Sequence, residues 1–412
     1  MYIREFSVRN YLIHKATALK LTPITVFVGP NGGGKSAFFD AILNFSMVAR
    51  GNIRQAFSQF PYSFNATKHH GAGRLDRIGF DAVLSRAQNS PEALRYRVDY
   101  TQQGAAEAGF PNFQITNEVL EEIPSGAVLF DRNHNPYSSP LKLAVKFLED
   151  DRGIFAAVRA ARLSGAGDDD NALVAHCATE ISRFNRFRLN PFTLAGSSRL
   201  PDISAEKPVP PRLGHEGEDL AACLYYMQET RDAALEIILK RVQAVVPGFQ
   251  NFEFNTYAAD RLSWAMQFSD DRGIASSVRL SHGLVLFVGL MVLCYSPNRP
   301  PVMLIEEPEN GLTPTSLRAL YGAARELAYR EDAEKRSQIL ISSHSPFVIC
   351  EAWNGEDRDF IHQFKVEDGH STVRKFSDVI KQQGVVLAKD DSGKPNVLGL
   401  RNAELLMAGY LS

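Results

Sequence analysis

The run Ile24-Thr25-Val26-Phe27-Val28-Gly29-Pro30-Asn31-Gly32-Gly33-Gly34-Lys35-Ser36-Ala37-Phe38-Phe39-Asp40-Ala41-Ile42-Leu43 sets an apolar strand, a glycine loop and a helix in that order. The spacing Gly29, four residues, Gly34, Lys35, Ser36 matches the P-loop pattern. Glycines let the backbone turn tightly enough for successive N–H groups to face phosphate oxygens, and the helix N-terminus adds positive partial charge. Lys35 would place an ammonium on the terminal phosphates, and Ser36 would ligate magnesium. Gly29, Pro30, Asn31, Gly32, Gly33, Gly34, Lys35, Ser36 and Ala37 are therefore the candidate nucleotide-binding residues, with ATP and Mg2+ as the expected ligands.

Outside that run, bulk properties exclude more than they assign. A chain of 412 residues with 44% hydrophobic and 22% charged content can build a large core and more than one lobe. Its formal net charge of −2 gives no overall electrostatic footprint for nucleic acid. Cys177, Cys223, Cys294 and Cys350 are scattered without the spacing of a zinc site or a disulfide framework. The N-terminal segment Met1 to Asn10 carries charges among its apolar positions, unlike a signal peptide. The most apolar stretch, Leu284 to Tyr295, is too short to span a bilayer as a helix. A cytoplasmic location with no membrane partner is the expectation.

Alternating runs Tyr2 to Val8 and Ile24 to Val28 read as paired strands, the second delivering the glycine loop. Further short runs at Ile78 to Leu84, Leu94 to Tyr100, Phe113 to Ile115 and Ala127 to Phe130 read as an antiparallel sheet, with a turn at Asp131 to Asn135. Helical patterns at Leu141 to Leu163 and Asp219 to Val246 flank an acidic loop at Ser164 to Asp170 and a proline-rich stretch at 196–218. Three parts are expected: an N-terminal half of a nucleotide-binding head (1–140), a mainly helical inserted lobe (141–260) and a C-terminal half (261–412).

Three elements of the last part carry chemistry. Pro301 to Ile305 is a buried-strand run ending in Glu306-Glu307, with Pro308-Glu309-Asn310-Gly311-Leu312 behind it. Two adjacent carboxylates at a phosphate site can divide two tasks: Glu306 holds the magnesium shell, and Glu307 polarises the attacking water. Upstream, Ser281-His282-Gly283 starts a helix, where Ser281 and Gly283 can offer a hydroxyl and free N–H groups to a γ-phosphate. Downstream, the strand Gln338 to Ile341 leads to Ser342-Ser343-His344, and His344 can sense the γ-phosphate through a ring nitrogen. The candidate catalytic residues are Glu307, His344 and Lys35; the metal residues are Ser36 and Glu306.

Together these residues resemble the ABC-type ATPases, within them the RecF/SMC-like and OLD-like branch of AAA_21-type ATPases. The resemblance covers residues 1–45 and 275–350 most closely. It implies an α/β P-loop NTPase fold of ABC type with an antiparallel β-subdomain and an inserted helical lobe. It also makes Gly29 to Ser36 the Walker A loop, Glu306 and Glu307 the Walker B pair, Ser281 to Gly283 a divergent signature, Asn310 to Leu312 the D-loop region and His344 the switch histidine. Two heads of such proteins sandwich ATP, so a homodimer or higher even oligomer is implied. Glu306 stands where many relatives have Asp, which fits slow hydrolysis, and Thr313 stands where relatives often have His. Gln55, Gln59 and Gln114 are candidates for the Q-loop glutamine.

OLD-like nucleases add a Toprim domain, which the residues after His344 are too few to form; Lys389 to Gly393 reads as a turn. A nuclease effector would then be a separate polypeptide, as in two-component phage-defence systems. The favoured expectation is a dimeric ATPase that gates an effector or a DNA transaction in anti-phage defence. The alternatives are a RecF/SMC-type repair ATPase and an ATP-bound scaffold that sequesters a partner. A transporter subunit is disfavoured by the long separation of Ser36 from Glu306 and by the missing Ser-Gly-Gly-Gln signature. Arg183, Arg186 and Arg188, interleaved with Phe184 and Phe187, offer a candidate DNA backbone contact, but the pattern reads better as a solvated helix face.

Overall fold

Ile24–Val28 is buried at every position, and a strand covered on both faces belongs inside a parallel sheet. It lies between Gln338–Ser343 and Ile361–Glu367, parallel to both, with Val26 opposite Ile341 and Ile361. The full order is His370–Lys375, Ile361–Glu367, Ile24–Val28, Gln338–Ser343, Val302–Glu306, Asn185–Phe187. Only the first of these runs antiparallel to its neighbour. The expected pairing of Tyr2–Val8 with Ile24–Val28 does not occur. Tyr2–Tyr11 turns back on His14–Lys20 instead, whose alternation of buried and exposed residues suits a half-buried hairpin arm.

Those two strands open a second, antiparallel sheet that continues through Ile78–Ser85, Ala93–Ala105, Pro111–Ile123 and Val128–Asp131. The two sheets are stitched by Gln338, fully buried, which accepts from the Ile3 N–H (2.9 Å) and donates to the Ile3 and Thr22 carbonyls. Its amide thereby meets three backbone groups that burial would otherwise leave unpaired.

The fold is that of a computed structural model, which describes residues 1–59, 64–73, 76–105, 111–134, 139–165, 171–257, 260–332, 336–355, 358–389 and 395–408. Asp168 to Asp170, Asn135, Asp390 to Gly393 and the side chains of Gln55 and Gln59 lie outside what it describes.

Two hydrophobic cores cover the faces of the nucleotide sheet, and the strands feed them alternately. Val302, Leu304, Leu340, Phe27 and Phe364 join the core shared with the antiparallel sheet; Met303, Ile305, Ile339, Ile341 and Val26 join the other. Residues 141–260 divide between these two cores. Helices Ile154–Leu163 and Ala172–Ile181 pack into the first core, whereas Leu220–Glu229 and Ala233–Val245 pack into the second. Between them Asn185–Phe187 becomes an edge strand of the nucleotide sheet. Farther on, Phe249–Tyr257 pairs with Arg261–Phe268 across the expected boundary.

Asp219 to Val246 is two helices rather than one, because Arg231 adopts a left-handed conformation and Asp232 caps the second helix through the Ala234 N–H. His282–Tyr295 is buried on all sides from Val285 onward, which accounts for its uniform apolarity. No helix among the described residues is long and apolar enough to cross a membrane. The four cysteines are free.

Candidate functional site

The helix Lys35–Arg50 follows the glycine loop, and its N-terminus points into an open cleft of about 240 Å³. Asn31 to Ala37 line the cleft floor, Glu307 and His344 stand across it, and Leu12 and Ile13 from the first hairpin form an apolar wall. Residues far apart in sequence grip the loop from beneath. His14, fully buried, hydrogen-bonds the Gly34 carbonyl through Nε2 (3.0 Å) and Thr17 through Nδ1 (2.9 Å). Ser371 donates to the Gly33 carbonyl (2.7 Å). At Gly29, with φ of 138°, a Cβ would drive into the Phe364 carbonyl, so only glycine fits. Burial holds the His14 imidazole down at about 4, leaving it a neutral buttress near pH 7.

Lys35 folds back on the loop, donating to the Gly29 (2.8 Å) and Pro30 (3.0 Å) carbonyls. Burial pulls its ammonium down to about 8, against the attraction of Glu307, Glu309 and Glu306. Ser36 is exposed to the cleft.

Strand Val302–Glu306 ends with its two carboxylates on different duties. Glu306 is buried; one oxygen accepts from Arg186 (2.9 Å), and the other, Oε1, has no partner among the described residues. Arg186 also binds Asp40 of the phosphate helix, whose carboxyl burial pushes up against the pull of Arg186. The backbone of Glu307 turns left-handed (φ 43°), a conformation that costs a non-glycine residue about 1–3 kcal/mol and clusters at functional sites. Its Oε1 lies 3.2 Å from His344 Nε2, and its Oε2 accepts from Asn310 (3.0 Å).

Glu309, which the sequence reading passed over, organises the histidine loop. Its Oε1 accepts from Ser343 Oγ (2.8 Å) and from the N–H groups of His344 (2.7 Å) and Ser345 (3.1 Å). His14, Ser371 and Arg186 were likewise not singled out for this site: the contacts of Ser371 and Arg186 cross more than 100 residues, and that of His14 joins two different elements, so none leaves a local spacing. Only Glu309, in Glu-Glu-Pro-Glu, carried a visible signal as a third carboxylate after the strand.

Ser281 and Gly283 are not among the residues lining the cleft. Ser281 caps its own helix, accepting from the Leu284 N–H (3.4 Å), and Gly283 abuts the Gly311 carbonyl too closely for a Cβ. Gln114 belongs to the antiparallel sheet, opposite Thr101, and also lines no part of the cleft. Arg183 and Arg186 sit beside or within a strand rather than on a helix face, and both are ion-paired, with Glu180 and with Asp40 and Glu306. Among the described residues no group of three or more His, Cys, Asp or Glu side chains forms a metal cage; the orphaned Glu306 oxygen and the exposed Ser36 hydroxyl still suit a cation shared with phosphate oxygens.

The sheet order, the glycine loop and the carboxylate and histidine strands around one cleft define an α/β P-loop NTPase of the ABC/SMC-head type. The fold is similar to the SmcHead in the crystal structure of the SmcHead bound to the C-winged helix domain of ScpA, at TM-score 0.53 and 12% identity, covering 92% of this chain and 100% of that one. The SMC head domain from Thermotoga maritima aligns at TM-score 0.42 and 13% identity over 91% and 99% of the chains, a score too low to add weight. No curated protein matches the chain. Residues 24–350 match the model of the family described as "AAA_21: AAA domain, putative AbiEii toxin, Type IV TA system", and the chain belongs to that family.

Proposed function

We propose that the protein binds ATP with Mg2+ and hydrolyses it to ADP and phosphate, slowly, between two copies of the chain. The observation that carries this reading is the convergence of Lys35, Ser36, Glu307 and His344 on one cleft from three separate strand ends. On binding, Lys35 exchanges the two loop carbonyls for phosphate oxygens, and the N–H groups from Gly32 to Ser36 hold the phosphate chain. Leu12 and Ile13 give the base an apolar wall. Glu307 polarises the attacking water and His344 fixes that carboxylate while reading the γ-phosphate. Ser36 and Glu306 would hold a magnesium ion, which would supply charge neutralisation to the phosphates. Arg186 already occupies one oxygen of Glu306 and leaves one carboxylate oxygen for that role, which supports slow turnover.

The placement of Ser281 and Gly283 outside the lining of their own cleft supports pairing, in which they face the nucleotide of a second copy. ATP then shifts an open-to-closed equilibrium, and hydrolysis resets it. In this reading closure gates a separate effector protein, a nuclease being the candidate the resemblance suggests, or a DNA transaction in anti-phage defence.

The test is steady-state phosphate release with solution mass, for wild type, Lys35→Ala and Glu307→Gln, with and without DNA. The reading expects turnover lost in both variants and an ATP-stabilised dimer in Glu307→Gln. Turnover unchanged by Glu307→Gln, or mass indifferent to ATP in all three, overturns it.

A further inference from the structure

A larger cavity, about 900 Å³, opens at the opposite end of the strands of the nucleotide sheet. Pro301 and Ser337 line it, and these residues lead into the two strands whose far ends carry Glu306 and Ser343. The cavity therefore shares no wall with the glycine loop.

Its lining is strongly cationic. Among the described residues, Arg86, Arg183, Arg299, Arg330 and Arg336 share the lining with two carboxylates, Glu180 and Asp232. Both acids are already engaged: Glu180 takes Arg183 at 3.0 Å, and Asp232 accepts from the Ala234 N–H as a helix cap (2.8 Å). Arg86, Arg330 and Arg336 pair with no carboxylate among the described residues. Arg86 donates to the Ala172 carbonyl (3.1 Å), Arg336 to the carbonyls of Arg330 and Glu331, and Arg330 lies over the Tyr295 ring at 5.7 Å. Burial lowers the Arg299 guanidinium to about 10, with repulsion from Arg330 adding to it. Five guanidiniums gathered around two committed acids repel one another, and an anion with several oxygens relieves that repulsion through charge-assisted, bidentate hydrogen bonds.

Other lining residues differ in kind. Ala233, Ala234 and Ile237 of the helix Ala233–Val245, with Pro297, present apolar surface to the same space. A bare phosphate uses none of it. The volume falls within the range of small-molecule sites, which combine an apolar wall with a few placed polar groups. We propose that this cavity is a second anion site, taking a nucleotide-sized phosphorylated ligand with its phosphates on the arginines and its base on the Ala233–Ile237 wall.

The experiment is calorimetric titration of the full chain carrying Lys35→Ala, which disables the glycine loop, with ATP, GTP, AMP and inorganic tripolyphosphate in turn. At least one nucleotide is expected to bind with a stoichiometry of one per chain. Adding Arg330→Ala and Arg336→Ala should weaken it at least tenfold, with circular dichroism confirming the fold. Ile237→Glu, which sets a carboxylate into the cavity without removing an arginine, should weaken it similarly and serves if the arginine variants unfold. Absence of binding by all four compounds, binding indifferent to the arginine and Ile237 changes, or tripolyphosphate binding as tightly as any nucleotide overturns the proposal. So does binding of a 5′-phosphorylated oligonucleotide where no mononucleotide binds. None of these outcomes bears on catalysis at the glycine loop, whose failure is read separately from phosphate release.

Discussion

Two helix starts in this molecule look alike in sequence and are built differently. The loop before Lys35 is gripped from three directions, by His14, by Ser371 and by the Phe364 backbone. The turn at Ser281 to Gly283 satisfies itself, with Ser281 capping its own helix and Gly283 resting on Gly311. Preorganisation is worth most where charge must be received without rearrangement, and the gripped loop has it. The self-capped turn is presented rather than supported, as a surface meant to meet something outside its own chain would be.

That contrast can be broken or sharpened by experiment. The largest effect is expected at Glu307→Gln, where turnover should fall about 10²- to 10⁴-fold while the gripped loop keeps its affinity for ATP; equal loss of affinity would show that the loop does not hold nucleotide by itself. Next is Arg186→Met, which leaves Asp40 and Glu306 buried without their guanidinium and should cost about 3–5 kcal/mol in urea unfolding. A neutral result would mean that Asp40, whose carboxyl burial pushes up, is protonated in the native protein.

Lowering the pH attacks the grip itself. His14 and His362 are held at about 4 by burial, below an ordinary 6.5, so the unfolded chain takes up protons first as the pH drops. Stability present above pH 6.5 is then lost progressively toward pH 4, by roughly 3 kcal/mol for each ring. Thermal scans should show this, and His14→Gln should flatten part of the slope. Gly29→Ala sets a Cβ against the Phe364 carbonyl on top of backbone strain of about 1–3 kcal/mol, and should lower both the melting temperature and ATP affinity. The smallest change is Ser281→Ala, which removes a long capping bond and should cost about 1 kcal/mol or less of stability. If the presented turn serves a second copy, analytical ultracentrifugation will show a larger loss in the ATP-dependent dimer than in folding.

Which parts were legible in the sequence follows the same division. Gly29 to Ser36, Glu306-Glu307 and His344 announce themselves, because phosphate chemistry fixes residue type at fixed local spacing, and the antiparallel strands from Ile78 onward show their alternation. What escaped is what depends on distant partners. Nothing near Asn185–Phe187 marks it as an edge strand of the nucleotide sheet, since its partner Met303–Ile305 lies far along the chain. Ile361–Glu367 was unread for the same reason, although it flanks the central strand. His14 resembles any strand residue until the Gly34 carbonyl is seen beside it. The helix break at Arg231 hid within a continuous amphipathic pattern, which a single left-handed residue interrupts without changing composition.

The position of Ile24–Val28 has a consequence for how the protein comes into being. Its two flanking strands, Gln338–Ser343 and Ile361–Glu367, are translated long after it, and Ser371 later still. A growing chain on the ribosome carries the glycine loop early yet has no floor beneath it until those strands emerge. Such long-range closure is slow to form, so the nascent polypeptide stays unable to grip phosphate until those strands have emerged. A product truncated before residue 338 would expose Ile24–Val28 as an unpaired apolar strand, an invitation to aggregation and to proteolysis rather than to half-active ATP binding.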